Sequence, residues 1–354
     1  MASFDLAVVG SGIVGLAHAL AAARRGLRVV VLERDPGPQS ASVQNFGFVT
    51  VSGQEERVTR PRALRSRETW LEVAGEAGIE VHQRGANVMA RRPEALLVLE
   101  EFAAGAMGEG CRIQDRTLWS PHELRVEARD AIPRIAAWLE DRHGVVFAWG
   151  VAAKSVDTGV VHHSAGELRA DAVVLAPGAG AAAFAPELAS RVKLRVCKLQ
   201  MMRLADPGIR LPAVVMTDLS LLRYEGFACQ PSAAKLREVL ASECPRELEH
   251  GIHLIVAQSK DGTLVVGDSH HYLAAPDGAR SGDVDDLILG ELRALLGIEP
   301  RVVDRWLGFY PVVDGGRPVL SEALAPRVRL VVTSGTGMST AFAIGEETVD
   351  ALFG

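Results

Sequence analysis

The sequence predicts a two-part α/β protein: a Rossmann-like domain around a parallel sheet, and an α+β domain built on an antiparallel sheet. Three observations lead there. A glycine-rich turn, Val8-Val9-Gly10-Ser11-Gly12-Ile13-Val14-Gly15, directly follows an apolar run that begins at Phe4. A second buried-strand pattern, Asp171 to Leu175, runs into Ala176-Pro177-Gly178-Ala179-Gly180 far downstream. A further turn, Ser334-Gly335-Thr336-Gly337-Met338-Ser339, follows Leu330-Val331-Val332-Thr333 near the end of the chain. Pieces of one nucleotide-binding fold so widely separated imply a domain interrupted by insertions.

The first unit reads in order. Phe4 to Val9 is apolar enough for a parallel strand buried on both faces. Ile13 to Arg25 carries Val14, Leu16, Ala17, Leu20, Ala21 and Ala23, a small-residue helix ended by Gly26. Arg28 to Leu32 is the next strand, closing on Glu33. In such a loop Gly10 permits the tight turn, Gly12 lets the backbone approach a pyrophosphate, and Gly15 allows close helix–strand packing. The helix N-terminus at Ile13 attracts the anion. Glu33 is placed to accept hydrogen bonds from ribose hydroxyls, with Arg34 beside it. The context therefore predicts a dinucleotide site.

Downstream, the helical spacing of Ala343, Ile344, Thr348, Val349 and Leu352 predicts a helix over Ala341 to Phe353. His253 to Gln258 and Thr263 to Gly267 flank Lys260-Asp261-Gly262 and predict a hairpin. Val192 to Leu204 and Val214 to Arg223 are further strand candidates. The expected nucleotide domain is residues 1–85, 143–190 and 318–354. Residues 86–142 and 191–317 are the expected substrate domain.

Bulk properties narrow the function. The 354 residues are 48% hydrophobic and 23% charged, enough for a sizeable core. The formal net charge of -6 gives no reason to expect a nucleic-acid or anionic-membrane partner. The four cysteines, Cys111, Cys197, Cys229 and Cys244, lack metal or redox spacing, and free thiols are expected. No signal-peptide pattern and no apolar run of the roughly 20 residues a membrane helix needs are present, so a cytoplasmic protein is expected. No metal site is expected either: His162-His163 and His270-His271 are adjacent pairs without metal-ligand spacing.

A nicotinamide enzyme needs the first turn only. Five segments in order resemble the FAD-dependent amine oxidoreductases of the D-amino acid oxidase, glycine oxidase and sarcosine oxidase superfamily. They are the N-terminal βαβ unit, Ala41-Ser42-Val43-Gln44-Asn45-Phe46-Gly47, Leu175-Ala176-Pro177-Gly178, Trp306 to Asp314, and Gly335-Thr336-Gly337. The resemblance implies an FAD domain covered by an antiparallel substrate domain. It also implies that Ser42, Asn45, Phe46 and Gly47 lie against the cofactor, as do Ala176, Gly178, Gly335, Thr336, Gly337, Met338 and Ser339. Val151 would meet the adenine through its backbone. The implied reaction removes a hydride equivalent from a carbon bearing an amine, the flavin doing the hard step without a dedicated catalytic base. O2 is the expected electron acceptor, with a non-oxygen acceptor as the alternative.

Departures from the family pattern bear on the substrate. Many carboxylate-specific members carry arginine where Gly308-Phe309-Tyr310-Pro311 has tyrosine. Tyrosine cannot replace a bidentate guanidinium. Lys198, Arg203 and Arg223 are candidate replacements, with Gln200, Tyr224, His270 and Tyr310 expected near the substrate. Val43 to Val49 and Lys198 to Arg203 more closely resemble a narrower clade linked to phosphonate breakdown, which implies 2-aminoethylphosphonate or an N-methylated relative as substrate. Glycine, sarcosine or another amino acid is the alternative. No cysteine follows Cys244 and no histidine lies between Ser42 and Gly47, so FAD is expected to be noncovalent. The lysine that relatives place near the flavin falls at Val265. Oligomeric state is not readable.

Overall fold

In the computed structural model, which describes residues 4–354, two sheets are built from interleaved stretches of chain. The first sheet follows the order Val319–Ala325, Val328–Thr333, Gly166–Leu175, Phe4–Val9, Val29–Glu33 and Val146–Trp149. Its central pairings are parallel, with Phe4–Val9 between Gly166–Leu175 and Val29–Glu33. Only the edge strand Val319–Ala325 joins this row antiparallel. Neighbours in space are thus about 160 residues apart in sequence, which is the interruption that the distant glycine turns imply.

The unbroken apolar strands follow from burial on both faces. Leu6, Val8, Val29, Val31, Ala172 and Val174 enter the core beneath the helices. Their neighbours Ala7, Val9, Val30, Leu32, Val173 and Leu175 enter a separate core on the opposite face. A period of two thus splits one apolar run between two cores. The helices Ile13–Ala23 and Gly337–Phe353 pack on the first face. There Trp70 donates from its indole to the Met338 carbonyl at 2.7 Å and meets Phe342 edge-on at 5.3 Å. Gly15 is required by closeness: a Cβ there would lie 1.9 Å from the Gly10 carbonyl oxygen.

The second sheet runs through His271–Leu273, Arg195–Leu204, Leu264–Gly267, Ile255–Gln258, Val214–Thr217, Val81–Met89, Thr117–Val126 and Phe48–Val49, with Val302–Val312 also paired to Arg195–Leu204. It is mixed, because Val214–Thr217 pairs parallel with Val81–Met89. Parallel neighbours need a long crossover. Here the chain passes through the first sheet before it returns, so the purely antiparallel expectation gives way at that pair. Val81–Met89 belongs wholly to this sheet, as does Phe48–Val49, so the expected boundary at residue 85 falls inside a strand.

The expected strand Val214 to Arg223 stops early. It ends at Thr217, and Asp218–Leu221 turns helical. Asp218 accepts from the Arg91 amide at 2.8 Å and from Arg92 Nη1 at 2.9 Å, which holds it at the first helical turn. Arg223 and Tyr224 consequently lie on the connection to the next short helix, Glu225–Ala228. No helix among the described residues is long and apolar enough to cross a membrane.

Candidate active site

A cavity of about 990 Å³ is lined by elements from both sheets. At one end lie Gly12 and Ile13, where the first helical hydrogen bond runs from the Leu16 amide to the Gly12 carbonyl. The amides of Val14 and Gly15 precede that ladder and are available to an anion. Ser42 Oγ accepts from the Ile13 amide at 2.9 Å, and a Cβ on Gly12 would lie 2.9 Å from it, so the 41–47 loop presses directly on the turn. Asn45 folds that loop: its Nδ2 donates to the Ala41 and Ser42 carbonyls, and its Oδ1 accepts from the Gly47 amide at 2.6 Å.

Of the residues expected at the cofactor, Gly12, Ile13, Ser42, Asn45, Phe46, Ala176 and Gly178 line the cavity, together with Gly335, Thr336, Gly337, Met338 and Ser339. Gly10, Gly15 and Gly47 shape the backbone behind it. Glu33 accepts from the Ser11 amide at 2.8 Å and its hydroxyl at 2.9 Å, at the edge of the turn. The Val151 amide donates to the Glu33 carbonyl at 2.8 Å, leaving only the Val151 carbonyl for a base. Arg34 is exposed, beside Asp35 at 3.5 Å, and does not line the cavity.

The substrate expectations divide sharply. Arg223, Tyr224, His270 and Tyr310 line the cavity. Lys198, Gln200 and Arg203 do not, and their polar groups are already engaged. Lys198 Nζ donates to Asp277 at 2.6 Å and to the Ala279 carbonyl at 3.0 Å. Gln200 bonds Ser281 and Asp285. Alternation explains the correction: Leu199 and Met201 face the cavity, so residues 198 and 200 face the opposite side. Arg203 shares the parity of Leu199 but lies further along, where it pairs with Glu127 at 3.1 Å.

At the centre, Arg223 is open to the cavity. Its Nη1 donates to the Tyr272 hydroxyl at 2.7 Å and its Nη2 to the Tyr310 hydroxyl at 2.9 Å. A guanidinium has five N–H donors, so further donors remain for a ligand. Gly335, at φ 77°, lets the terminal turn sit against Tyr310, whose Cζ would be 3.1 Å from a Cβ placed there. Burial raises the Tyr310 phenol well above its ordinary pKa, and Arg223 offsets this only in part.

Sequence reasoning missed His253 and Asp268. They meet because the chain pairing continues past Ile255 and Gly267 with a shift of one residue, the amides of His253 and Asp268 each donating to the other's carbonyl at 3.3 Å. The available signal was a polar run, Asp268-Ser269-His270-His271, ending a wholly apolar strand. His253 Nε2 stands 3.2 Å from Asp268 Oδ1, and His270 Nε2 stands 4.0 Å from Oδ2. The two imidazoles stack at 4.7 Å. Burial and then the Arg223 charge hold both far below the usual histidine range. Burial pushes Asp268 up to about 7, against the pull of Arg223. Ligand atoms of the three residues all lie within 4.8 Å of one another. The guanidinium that opposes charge on the imidazoles would equally oppose a metal cation, so the cluster suits a proton better.

A parallel-sheet dinucleotide fold, a cavity reaching from its glycine turn to a second sheet, and a terminal turn closing one wall define a flavin-dependent oxidoreductase. Residues 5–351 match the DAO family, described as FAD dependent oxidoreductase, and the chain belongs to that family. Glycine oxidase from Geobacillus kaustophilus is similar in structure, with a TM-score of 0.75 at 18% identity over 99% of this chain and 95% of that one. L-proline dehydrogenase from P. horikoshii gives 0.74 at 16% identity, over 99% and 93%. L-amino acid deaminase from Proteus vulgaris, lacking its specific insertion, gives 0.74 at 18%, over 99% and 90%. No curated protein sequence matches significantly. The cofactor of the family is FAD, and the residues fit it: bare glycine backbone and helix-terminal amides face one end of a cavity of about 990 Å³.

Proposed function

We propose that this enzyme oxidises a small amine that carries an anionic group, with a 2-aminoethylphosphonate or its N-methyl derivative as the leading substrate. The observation that supports this is Arg223, open to the cavity and steadied by two tyrosine hydroxyls. FAD, when bound, takes up the hydride equivalent from the carbon bearing the amine. Water then hydrolyses the imine to an aldehyde and ammonia or an amine. The chain's own part is to hold the anion, orient the amine and exclude water from the apolar wall formed by Phe48, Leu199, Met201 and Ile255.

A phosphonate has more acceptor oxygens than a carboxylate. The donors around Arg223 come from separate elements, Tyr272 from one strand and Tyr310 from another. Such a spread of donors suits a tetrahedral anion better than the planar fork of one arginine suits it. The noncovalent character of FAD is part of the same proposal, since none of the four cysteines is a cavity-lining residue.

Anaerobic flavin bleaching by a panel of amines, followed by re-oxidation in air, tests the proposal. Bleaching by 2-aminoethylphosphonate or its N-methyl derivative is expected. Bleaching by sarcosine or glycine but by neither phosphonate overturns the substrate. Reduced flavin that stays reduced in air moves the electron acceptor from O2 to another carrier.

A further inference from the structure

We propose that Asp268 is the proton acceptor of this site, taking the proton from the substrate's ammonium nitrogen so that the amine is neutral when it is oxidised. The proposal rests on the amine-oxidation reading above. A small aliphatic amine has a pKa near that of lysine, about 10.4, and enters neutral solution as an ammonium ion. An ammonium nitrogen has no lone pair to assist departure of hydride from the adjacent carbon. In the proposed step one N–H bond breaks, its electron pair stays on nitrogen, and one O–H bond forms at Asp268 Oδ1. No oxidant or reductant enters.

Three acidic residues line the cavity, and two of them are unsuited. Glu55 is occupied by the amides of its own loop, accepting from Arg57, Val58 and Thr59 at 2.7–3.0 Å. Glu225 is exposed. Asp268 is 4% exposed, yet its Oδ1 has no hydrogen-bond partner, since His253 at 3.2 Å is out of alignment. An unpartnered buried carboxylate oxygen is rare enough to require an explanation, and a role toward a ligand is one. Neighbouring groups do not fill it. His270 donates from Nδ1 to the Gly251 carbonyl at 2.9 Å, which leaves its Nε2 as a bare lone pair toward Asp268.

Charge is arranged to match. Arg223 receives the anion, and Asp268 is the negative group in the same wall. The other titratable groups facing it are His253 and His270, both neutral, and Tyr224, Tyr310 and Cys197, all held protonated by burial. A carboxyl group that titrates near neutrality can both take a proton and return it to solvent between turnovers.

The test is Asp268→Asn in the FAD-loaded enzyme, followed by anaerobic flavin reduction across pH 5.5 to 10 with the panel's best substrate. Loss of a proton acceptor is expected to slow reduction at pH 7 about 100-fold. It should also replace the wild-type acidic limb with a rate that climbs with free amine. Binding of an amine-free anion, methylphosphonate, read from the flavin spectrum, should stay unchanged, which a merely structural lesion would not allow. Asp268→Glu should restore part of the rate and a shifted acidic limb; if the asparagine variant loses FAD, that limb decides the matter. Wild-type rate and pH profile in Asp268→Asn overturn the proposal alone. A stoichiometric divalent metal in the wild-type protein that vanishes in Asp268→Asn also overturns it, since the cluster would then bind metal. If no anionic amine reduces the wild-type flavin, the functional reading fails and this proposal with it.

Discussion

Tyr310 and Arg223 share a hydrogen bond of 2.9 Å, and that contact relocates a charge rather than losing it. Where the family resemblance leads to the expectation of an arginine, this chain carries a phenol, and the phenol accepts from a guanidinium supplied by a loop 87 residues earlier. The positive group therefore reaches the cavity from the connection between Asp218–Leu221 and Glu225–Ala228 rather than from the strand that carries Tyr310.

Arg223→Ala is expected to weaken binding of every anionic ligand roughly 10- to 100-fold, the range for removing charge-assisted hydrogen bonds. Tyr310→Phe keeps the charge and removes one acceptor, so its loss should be several-fold smaller. Titration of the flavin spectrum with methylphosphonate measures both. Equal losses in the two variants would mean that the phenol itself binds the anion.

Lys198→Ala is expected to leave ligand affinity within about twofold of wild type, the ordinary effect of a substitution outside the site. Its ammonium holds Asp277 and the Ala279 carbonyl, so the change should appear instead as faster proteolysis of the 274–281 segment. A large rise in KM without altered proteolysis would return Lys198 to the anion pocket.

These contrasts show what a sequence can carry. Gly10, Gly12, Gly15 and Glu33 are legible because two strands, one turn and one helix, consecutive in the chain, contain the whole device. The second glycine turn is legible for the same reason. Lys198 misleads because a strand offers two faces, and only the position of the cavity decides which face is inner. His253 and Asp268 are illegible without strand register: 15 residues separate them, and they meet only because Ile255 pairs with Gly267. The strand expected to reach Arg223 fails because Asp218 is held at the first helical turn by the Arg91 amide and the Arg92 guanidinium, which arrive from a distant segment.

Glu127 predicts the acid limit of stability. Burial raises its pKa, but Arg125 and Arg203 outweigh burial and hold it at about 2, below the ordinary 4.5. A carboxylate depressed on folding stabilises the protein above its unfolded pKa and loses that contribution as pH falls through the folded one. Stability in urea should therefore drop between about pH 5 and 2. Glu127→Gln should flatten that slope and destabilise the protein by about 3–5 kcal/mol at pH 7, because the fully buried Arg125 is left without its carboxylate. Unchanged midpoints in urea at pH 7 would show that Ser259 and the Phe46 carbonyl, which also accept from Arg125, suffice.

Gly12→Val separates cofactor binding from folding. Its Cβ would meet Ser42 Oγ at 2.9 Å, and its branches would crowd the helix N-terminus whose Val14 and Gly15 amides are free for a pyrophosphate. Far-ultraviolet circular dichroism should stay close to wild type, because the turn keeps its backbone conformation: Gly12 has φ -67°, which any residue adopts. The purified variant should be colourless or nearly so, whereas wild type should be yellow and release all its flavin to the supernatant on acid precipitation. Flavin that remains with the precipitated wild-type chain would establish a covalent bond and reject the noncovalent assignment. A fully yellow Gly12→Val protein would instead place the pyrophosphate away from this turn. Only the combination of lost colour and retained fold assigns the glycine to FAD itself.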